Sequence, residues 1–177
     1  FFLQGWAVAL LLFASGRVLA ETPQQIAQKA FGSTVLLVLE NSNGEAIFGS
    51  GFFVRDNEVA SNFHVVEGAT RGYAKLVGKE TKYVIEGITA IDRKRDLVLL
   101  KLKIGSSPKL PLGNSEAVKV ADSVYAAGNP KGLEGTFSPG IVSAIREIDG
   151  VKYLQITAPI SSGSSGGPIL SSKGEVI

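Results

Sequence analysis

Residues 34–61 read TVLLVLENSNGEAIFGSGFFVRDNEVAS, and this stretch decides the fold class. Three runs rich in β-branched, aromatic and aliphatic residues occupy Thr34 to Glu40, Ala46 to Val54 and Glu58 to Ser61. Clusters of Asn, Asp and Gly separate these runs, as is typical of short strands joined by tight turns. The stretch therefore predicts three successive β-strands.

The same pattern continues along the chain. Further strand-like runs are Tyr73 to Val77, Lys82 to Ala90, Leu97 to Leu102, Ser123 to Ala127, Thr136 to Ile148, Lys152 to Thr157 and Ile169 to Leu170. A polar, proline-containing segment from Gly105 to Gly113 divides them into two sets and is suited to link two lobes. A short helix is expected over Gln24 to Ala30, with Thr22 as N-cap and Pro23 at the first helical position. We expect an all-β protein of two lobes.

Composition excludes several classes of function. The 177 residues are 45% hydrophobic and 19% charged, which argues against disorder and against a coiled coil. The net charge of +2, with no long run of like charges, gives no support for nucleic-acid binding. The chain has no cysteine and one histidine, so disulfides and thiolate metal sites are excluded. No metal or other cofactor is expected.

Residues 1–20, FFLQGWAVALLLFASGRVLA, differ from the rest of the chain. The apolar stretch from Trp6 to Ala14 is too short to span a bilayer, which needs about 20 residues. Val18-Leu19-Ala20 provides the small residues that precede a cleavage point, so we interpret residues 1–20 as a signal peptide. A buried core helix is the alternative. Because no charged leader precedes the apolar core, we expect a fragment that begins inside the signal peptide. The mature chain is then exported, periplasmic or secreted, without a stable membrane span.

His64 and Asp96 are the first candidates for chemistry. Histidine is the side chain best suited to exchange protons near neutral pH, and His64 follows an apolar run where a turn begins. Asp96 directly precedes the apolar run Leu97 to Leu102. There its carboxylate would lie against a packed core and could orient the imidazole of His64. A structural histidine and an ordinary turn aspartate are the alternatives.

Ser165 lies in the segment SSGSSGGPI, residues 161–169. Such a segment is often a flexible linker, but Ile160 and Ile169 flank it closely and indicate a tight loop between buried strands. A serine that attacks an acyl carbon needs two hydrogen-bond donors for the developing oxyanion. The backbone N–H groups of Gly163 and Ser165 are suited to supply them.

Five motifs together resemble the trypsin-like (chymotrypsin-fold) serine peptidases, and among these the HtrA/Deg type. Three carry the histidine, aspartate and serine in the order of that family: SNFHVVEGA at 61–69, DLVLLKL at 96–102 and GSSGGP at 163–168. Two more match its strands: GSGFFV at 49–54, and AGNPKGL at 127–133 followed by GIVSA at 140–144. The likeness covers roughly residues 24–177.

The resemblance implies two antiparallel β-barrels of the six-stranded type with the active site between them. The peptidase domain would span residues 21–177, with the first barrel at about 31–105 and the second at about 110–177. We expect the second barrel to be incomplete at the C-terminus.

The resemblance also implies hydrolysis of peptide bonds through an acyl-enzyme. Ser165 would attack, His64 would transfer the proton and Asp96 would orient His64. The backbone of Gly163 and Ser165 would bind the oxyanion.

Substrate preference follows from the position six residues before Ser165. Pro159 stands where relatives that cleave after Lys or Arg carry an aspartate. With Pro159 and Ile160 as pocket residues, we expect cleavage after small or medium apolar residues. Polypeptides are the expected partners, and the sequence carries no signal for or against an oligomer.

Two alternatives from other classes remain. One is a protease-like binding or chaperone module that is catalytically silent. The other is an exported esterase, since Gly163 to Gly167 satisfies the Gly-x-Ser-x-Gly nucleophile elbow. That elbow requires a helix after the serine and a histidine later in the chain. Here a strand-like run follows, and His64 precedes the serine.

Overall fold

The computed structural model describes residues 21–177, so the predicted signal peptide lies outside the described residues. The chain enters the fold through helix α1, Pro23–Ser33. As expected, Thr22 is its N-cap: the Thr22 hydroxyl accepts from the backbone N–H of Gln25 at 3.3 Å, and the Gln25 side chain accepts from the backbone N–H of Thr22 at 2.9 Å. This capping box satisfies two N–H groups that the helix leaves unpaired. Ile26 and Ala30 of α1 are buried.

Six antiparallel strands form a closed barrel in the order β1-β2-β3-β6-β5-β4. They are β1 Thr34–Asn41, β2 Ala46–Arg55, β3 Glu58–Asn62, β4 Ala69–Leu76, β5 Lys82–Asp92 and β6 Leu97–Leu102. The one-turn helix α2, Phe63–Val66, follows β3. Strand β4 begins four residues before the predicted Tyr73, because the polar segment Ala69–Gly72 pairs with the end of β1.

Strand β1 is continuously apolar because both of its faces are buried at its start. Val35, Leu37 and Leu39 point into the barrel core with Phe53 and Leu100. Its other face is also buried at its start, where Thr34 and Leu36 lie. A strand covered on both faces loses the apolar–polar alternation of a half-exposed strand.

The second lobe is an open four-stranded sheet in the order β10-β7-β8-β9. Its strands are β7 Ser123–Gly128, β8 Thr136–Ile148, β9 Val151–Ile156 and β10 Ile169–Ser171. The all-β expectation is confirmed, and so is a six-stranded first barrel. Within residues 21–177, two complete barrels are not seen. A sheet closes only when its edge strands pair, and here β9 and β10 are the two edges of the sheet.

The two lobes share a small apolar core and an ion pair. The core joins α1, β2, β7 and β10 through Ile26, Ala30, Phe52, Leu110, Ala127 and Leu170. The ion pair links Lys75 of β4 to Glu134 in the β7–β8 loop, with 2.7 Å between Nζ and Oε1. The other carboxylate oxygen of Glu134 accepts from the backbone N–H of Gly78 at 3.1 Å. The hydrogen bond from Lys75 holds the pKa of Glu134 below its ordinary value, and the pKa of Lys75 is raised in turn.

Among the helices within residues 21–177, none has the length and apolar character required to cross a bilayer.

Candidate active site

His64 and Asp96 meet through two hydrogen bonds. The Nδ1 atom of His64 lies 2.6 Å from Oδ2 of Asp96, and the backbone N–H of His64 donates to Oδ1 at 2.8 Å. A carboxylate at Nδ1 favours the tautomer that carries its proton there, which leaves Nε2 of the neutral ring as an acceptor. The pair can therefore take a proton at Nε2 and stabilise the resulting imidazolium.

The geometry of Asp96 comes from the turn before β6. Its backbone φ is +55°, a left-handed conformation that aspartate tolerates better than most residues. The Asp96 carbonyl accepts from the backbone N–H of Phe63 at 3.1 Å, which ties this turn to α2. The expectation that the carboxylate lies against a packed core is wrong: the side chain is 42% exposed, and the following Leu97 is 48% exposed. Hydrogen bonds to His64, and not apolar burial, hold it.

The loop that carries Ser165 is built of two tight turns. The backbone N–H of Ser164 donates to the Ser161 carbonyl, and that of Gly167 donates to the Ser164 carbonyl, both at 2.9 Å. Gly166 has a φ of +84°, and a Cβ at this position would overlap the carbonyl oxygen of Ser50. The flexible-linker interpretation is therefore wrong. The esterase elbow also fails, since strand β10, and not a helix, follows the serine.

Gly163 lies in this loop with a φ of +91°. Its carbonyl accepts from the buried Ser50 hydroxyl at 2.7 Å, and that hydroxyl accepts from the backbone N–H of Asn129 at 2.9 Å. Within residues 21–177, the backbone N–H groups of Gly163 and Ser165 donate to no other residue. Unpaired backbone donors are rare inside folded proteins, so these two are available to a ligand beside Ser165.

The first barrel binds both polar groups of the peptide bond between Ser165 and Gly166. The backbone N–H of Ser50 donates to the Ser165 carbonyl at 2.8 Å. The side-chain oxygen of Asn62 accepts from the backbone N–H of Gly166 at 2.7 Å. Nδ2 of Asn62 also donates to the Asp96 carbonyl at 2.9 Å. The structure thus joins His64 to Asp96 directly and joins the Ser165 loop to Asp96 through Asn62. Among the described contacts, His64 and Ser165 share no direct hydrogen bond.

A cavity of about 190 Å³ lies against the loop that carries Ser165, although Ser165 itself is not among its lining residues. Pro159 and Ile160 line it, as do Ser164 and Gly167, which flank the serine closely. All its lining residues are alanine, glycine, proline, isoleucine, serine or threonine. The cavity is suited to a small apolar group.

Sequence reasoning missed Ser50, Asn62 and Asn129. Ser50 and Asn129 are fully buried polar residues, and burial of that kind is not visible in the sequence. Asn62 directly precedes a turn, where asparagine commonly serves as a helix N-cap. The only available signal was that Ser50, Asn62 and Asn129 each lie inside one of the motifs already noted.

Known proteins resemble this chain in sequence and in fold. Residues 49–177 match the family described as "Trypsin-like peptidase domain". The probable periplasmic serine endoprotease DegP-like of Chlamydia trachomatis is 37% identical over 139 residues, 75% of this chain and 28% of that protein. The magnetosome formation protease MamE of Paramagnetospirillum magneticum is 42% identical over 144 residues, 73% of this chain and 19% of that protein. The chain thus spans less than a third of the length of these two relatives.

Solved structures of HtrA-type proteases share the fold of this chain. "HtrA-type protease AlgW with tripeptide" superposes with a TM-score of 0.79 at 27% sequence identity. The match covers 89% of this chain and 53% of that one. The family match, the relatives and the shared fold lead to one conclusion: the chain belongs to the trypsin-like serine peptidases of the HtrA type.

Proposed function

We propose that the protein is an exported serine endopeptidase in which His64, Asp96 and Ser165 form the catalytic triad. The observation that carries this proposal is the pair of hydrogen bonds between Asp96 and His64, next to a rigid loop that presents Ser165. This arrangement favours the tautomer of the imidazole that a general base requires. The two peptidase relatives, whose chains align over most of this one, support the same activity.

In the proposed mechanism, the Ser165 hydroxyl attacks the carbonyl carbon of the scissile peptide bond. Nε2 of His64 takes the hydroxyl proton and then gives it to the leaving amine, while Asp96 stabilises the imidazolium. The oxyanion accepts hydrogen bonds from the backbone N–H groups of Gly163 and Ser165. Water then attacks the acyl-enzyme, with His64 again acting as the base, and releases the second product.

We further propose that cleavage follows small or medium apolar residues. The cavity of about 190 Å³ against the loop that carries Ser165 supports this, as do Pro159 and Ile160 in its lining. A Lys or Arg side chain would leave its charge without a carboxylate partner in that lining, which costs free energy. Peptide substrates that differ only at the cleavage position test the preference: Ala or Val should give a higher kcat/KM than Lys or Arg, and the reverse order would contradict it.

The proposed location is the periplasm or another compartment outside the cytoplasm. Support comes from the expected signal peptide and from the relative in Chlamydia trachomatis, which is named a probable periplasmic serine endoprotease.

A fluorophosphonate probe tests the catalytic proposal in the full-length protein, because it reacts with an activated serine. We expect labelling of the parent on Ser165 and loss of labelling in Ser165→Ala and His64→Ala. Loss of a triad serine or histidine lowers kcat by about 10⁶-fold in a comparable enzyme. Ser162→Ala is the matched control, because it removes an exposed hydroxyl of the same loop, and it should label like the parent. An unlabelled parent would support a catalytically silent module, and label on another serine would contradict the assignment of Ser165 as the nucleophile.

A further inference from the structure

Asn62, the last residue of β3, holds two parts of the site together with one side chain. Its Oδ1 accepts from the backbone N–H of Gly166 at 2.7 Å, and its Nδ2 donates to the Asp96 carbonyl at 2.9 Å. The orientation of the amide is unambiguous. The Gly166 N–H requires an acceptor and the Asp96 carbonyl requires a donor, so exchanging oxygen and nitrogen would break both bonds.

Local structure does not explain this side chain. Asn62 occupies the N-cap position of α2, where an asparagine usually accepts a hydrogen bond from the second or third residue of the helix. Its side chain makes no capping bond. The acceptor is used instead by Gly166, which is 104 residues away in the sequence.

The two hydrogen-bond partners of Asn62 each belong to a part of the candidate active site. The Asp96 carbonyl belongs to the residue whose carboxylate holds His64. The Gly166 N–H belongs to the peptide group whose carbonyl is that of Ser165. This carbonyl accepts from the backbone N–H of Ser50 at 2.8 Å, so the peptide group is fixed at both ends. One planar amide therefore links the loop that carries Ser165 to the residue that holds His64.

We propose that Asn62 is a positioning residue, which places Ser165 at the distance and angle from His64 that proton transfer requires. The proposal rests on the proposed peptidase function and adds a residue to it. Asn62 touches no reacting atom and acts through Asp96 and Ser165. Misplacement of a reacting group by about 1 Å can cost about 100-fold in rate, so a lost contact at this point should reduce turnover without changing substrate binding.

Two substitutions in the full-length protein test both halves of the contact. Asn62→Ala removes both hydrogen bonds. Asn62→Asp keeps an acceptor for Gly166 but turns an oxygen toward the Asp96 carbonyl. Active sites are first counted by fluorophosphonate titration, so that misfolded molecules do not affect the rate per site. We expect both variants to lose about 10- to 100-fold in kcat per titrated site, with KM within about twofold of the parent.

Two reversible ligands distinguish a misplaced Ser165 from a substrate pocket that has become looser as a whole. A peptide boronic acid binds through a tetrahedral adduct with the serine, whereas the product peptide binds without a covalent bond. In Asn62→Ala, the boronate affinity should fall by the same factor as kcat/KM, and the product affinity should stay within about twofold. Asn41→Ala is the matched control, since it also removes side-chain amide hydrogen bonds, there in the β1–β2 turn. It should retain the parent rate per site.

The outcomes distinguish the two proposals. A parent protein that does not react with fluorophosphonate overturns the peptidase proposal and the role of Asn62 with it. A reactive parent whose Asn62 variants keep the parent rate per site overturns the role of Asn62 alone. Equal losses of boronate and product affinity would also overturn it, because they indicate a loosened pocket. An Asn62→Asp variant with the parent rate would also overturn it, because the link to Asp96 would then be dispensable.

Discussion

At the residue scale, the two carboxylate oxygens of Asp96 hold both the ring and the backbone of His64. Oδ2 of Asp96 binds the ring and Oδ1 binds the backbone of the same histidine. The ring therefore cannot rotate about its side-chain bonds without losing a charge-assisted hydrogen bond, while the backbone contact keeps the carboxylate in place. Because both side chains are roughly half exposed, geometry and not deep burial carries the interaction.

Replacing this carboxylate gives the first prediction. Asp96→Asn retains the size of the side chain but offers an amide to Nδ1, which favours the wrong tautomer of His64. We expect kcat per titrated site to fall by about 10⁴-fold, the effect of this change in a trypsin-type triad, with little change in KM. Steady-state kinetics on the full-length protein measure it. A loss of less than about tenfold would mean that Asp96 does not orient the general base.

Two glycines with nearly the same φ give the second prediction. Gly44 and Gly166 have φ values of +80° and +84°, but a Cβ on Gly44 would meet open space, whereas one on Gly166 would overlap Ser50. Gly44→Ala should cost about 1–2 kcal/mol of stability, the strain of a left-handed residue. Gly166→Ala should lose about 1–3 kcal/mol more through steric crowding. Urea unfolding measures both, and equal losses would show that the Ser165 loop adapts easily.

At the element scale, neighbouring elements set the shape of the loops around the site. Strand β6, Leu97–Leu102, and strand β8, Thr136–Ile148, have the bounds that the sequence predicts, because each apolar run ends at charged or turn-forming residues. The one-turn helix α2 was not predicted, because four residues with two valines carry no helical periodicity. His64, Asp96 and Ser165 were predicted from motifs. Asn62 was missed, because its partners are distant in sequence and only the tertiary fold brings them together.

The ion pair between β4 and the β7–β8 loop gives a prediction on pH. The folded-state pKa of Glu134 lies below its ordinary value of 4.5, mainly because of Lys75. Its contribution to stability is therefore fully present above the unfolded-state pKa and is lost as the pH falls through the folded-state pKa. We expect Glu134→Gln to be less stable than the parent at pH 7 and equally stable in strong acid, measured by urea unfolding.

Glu80 is the control for this ion pair. It also lies near Lys75, at 3.6 Å, but its side chain is 99% exposed. Exposed pairs contribute little to stability, so Glu80→Gln should leave the urea midpoint at pH 7 almost unchanged. A Glu134→Gln variant that keeps the same deficit at low pH would assign the loss to packing and not to charge.

At the scale of the whole molecule, the site lies where a closed barrel meets an open sheet. His64 and Asp96 come from the barrel, and Ser165 comes from the segment between β9 and β10 of the sheet. The sequence predicted the strands from local apolar patterning and two lobes from the polar segment between Gly105 and Gly113. It did not show how the lobes contact each other, because Ser50, Asn62 and the Lys75–Glu134 pair act across distances that no local pattern encodes.

The central claim is that these two lobes bring one base, one acid and one nucleophile to the same carbonyl group. A crystal structure of the full-length protein after reaction with a peptidyl phosphonate tests it most directly. We expect phosphorus bonded to Oγ of Ser165 and the phosphonyl oxygen about 2.7–3.1 Å from the backbone nitrogens of both Gly163 and Ser165. Nε2 of His64 should face the adduct, with Asp96 still bound to Nδ1. A phosphonyl oxygen directed away from both nitrogens, or an imidazole remote from the adduct, would contradict the account.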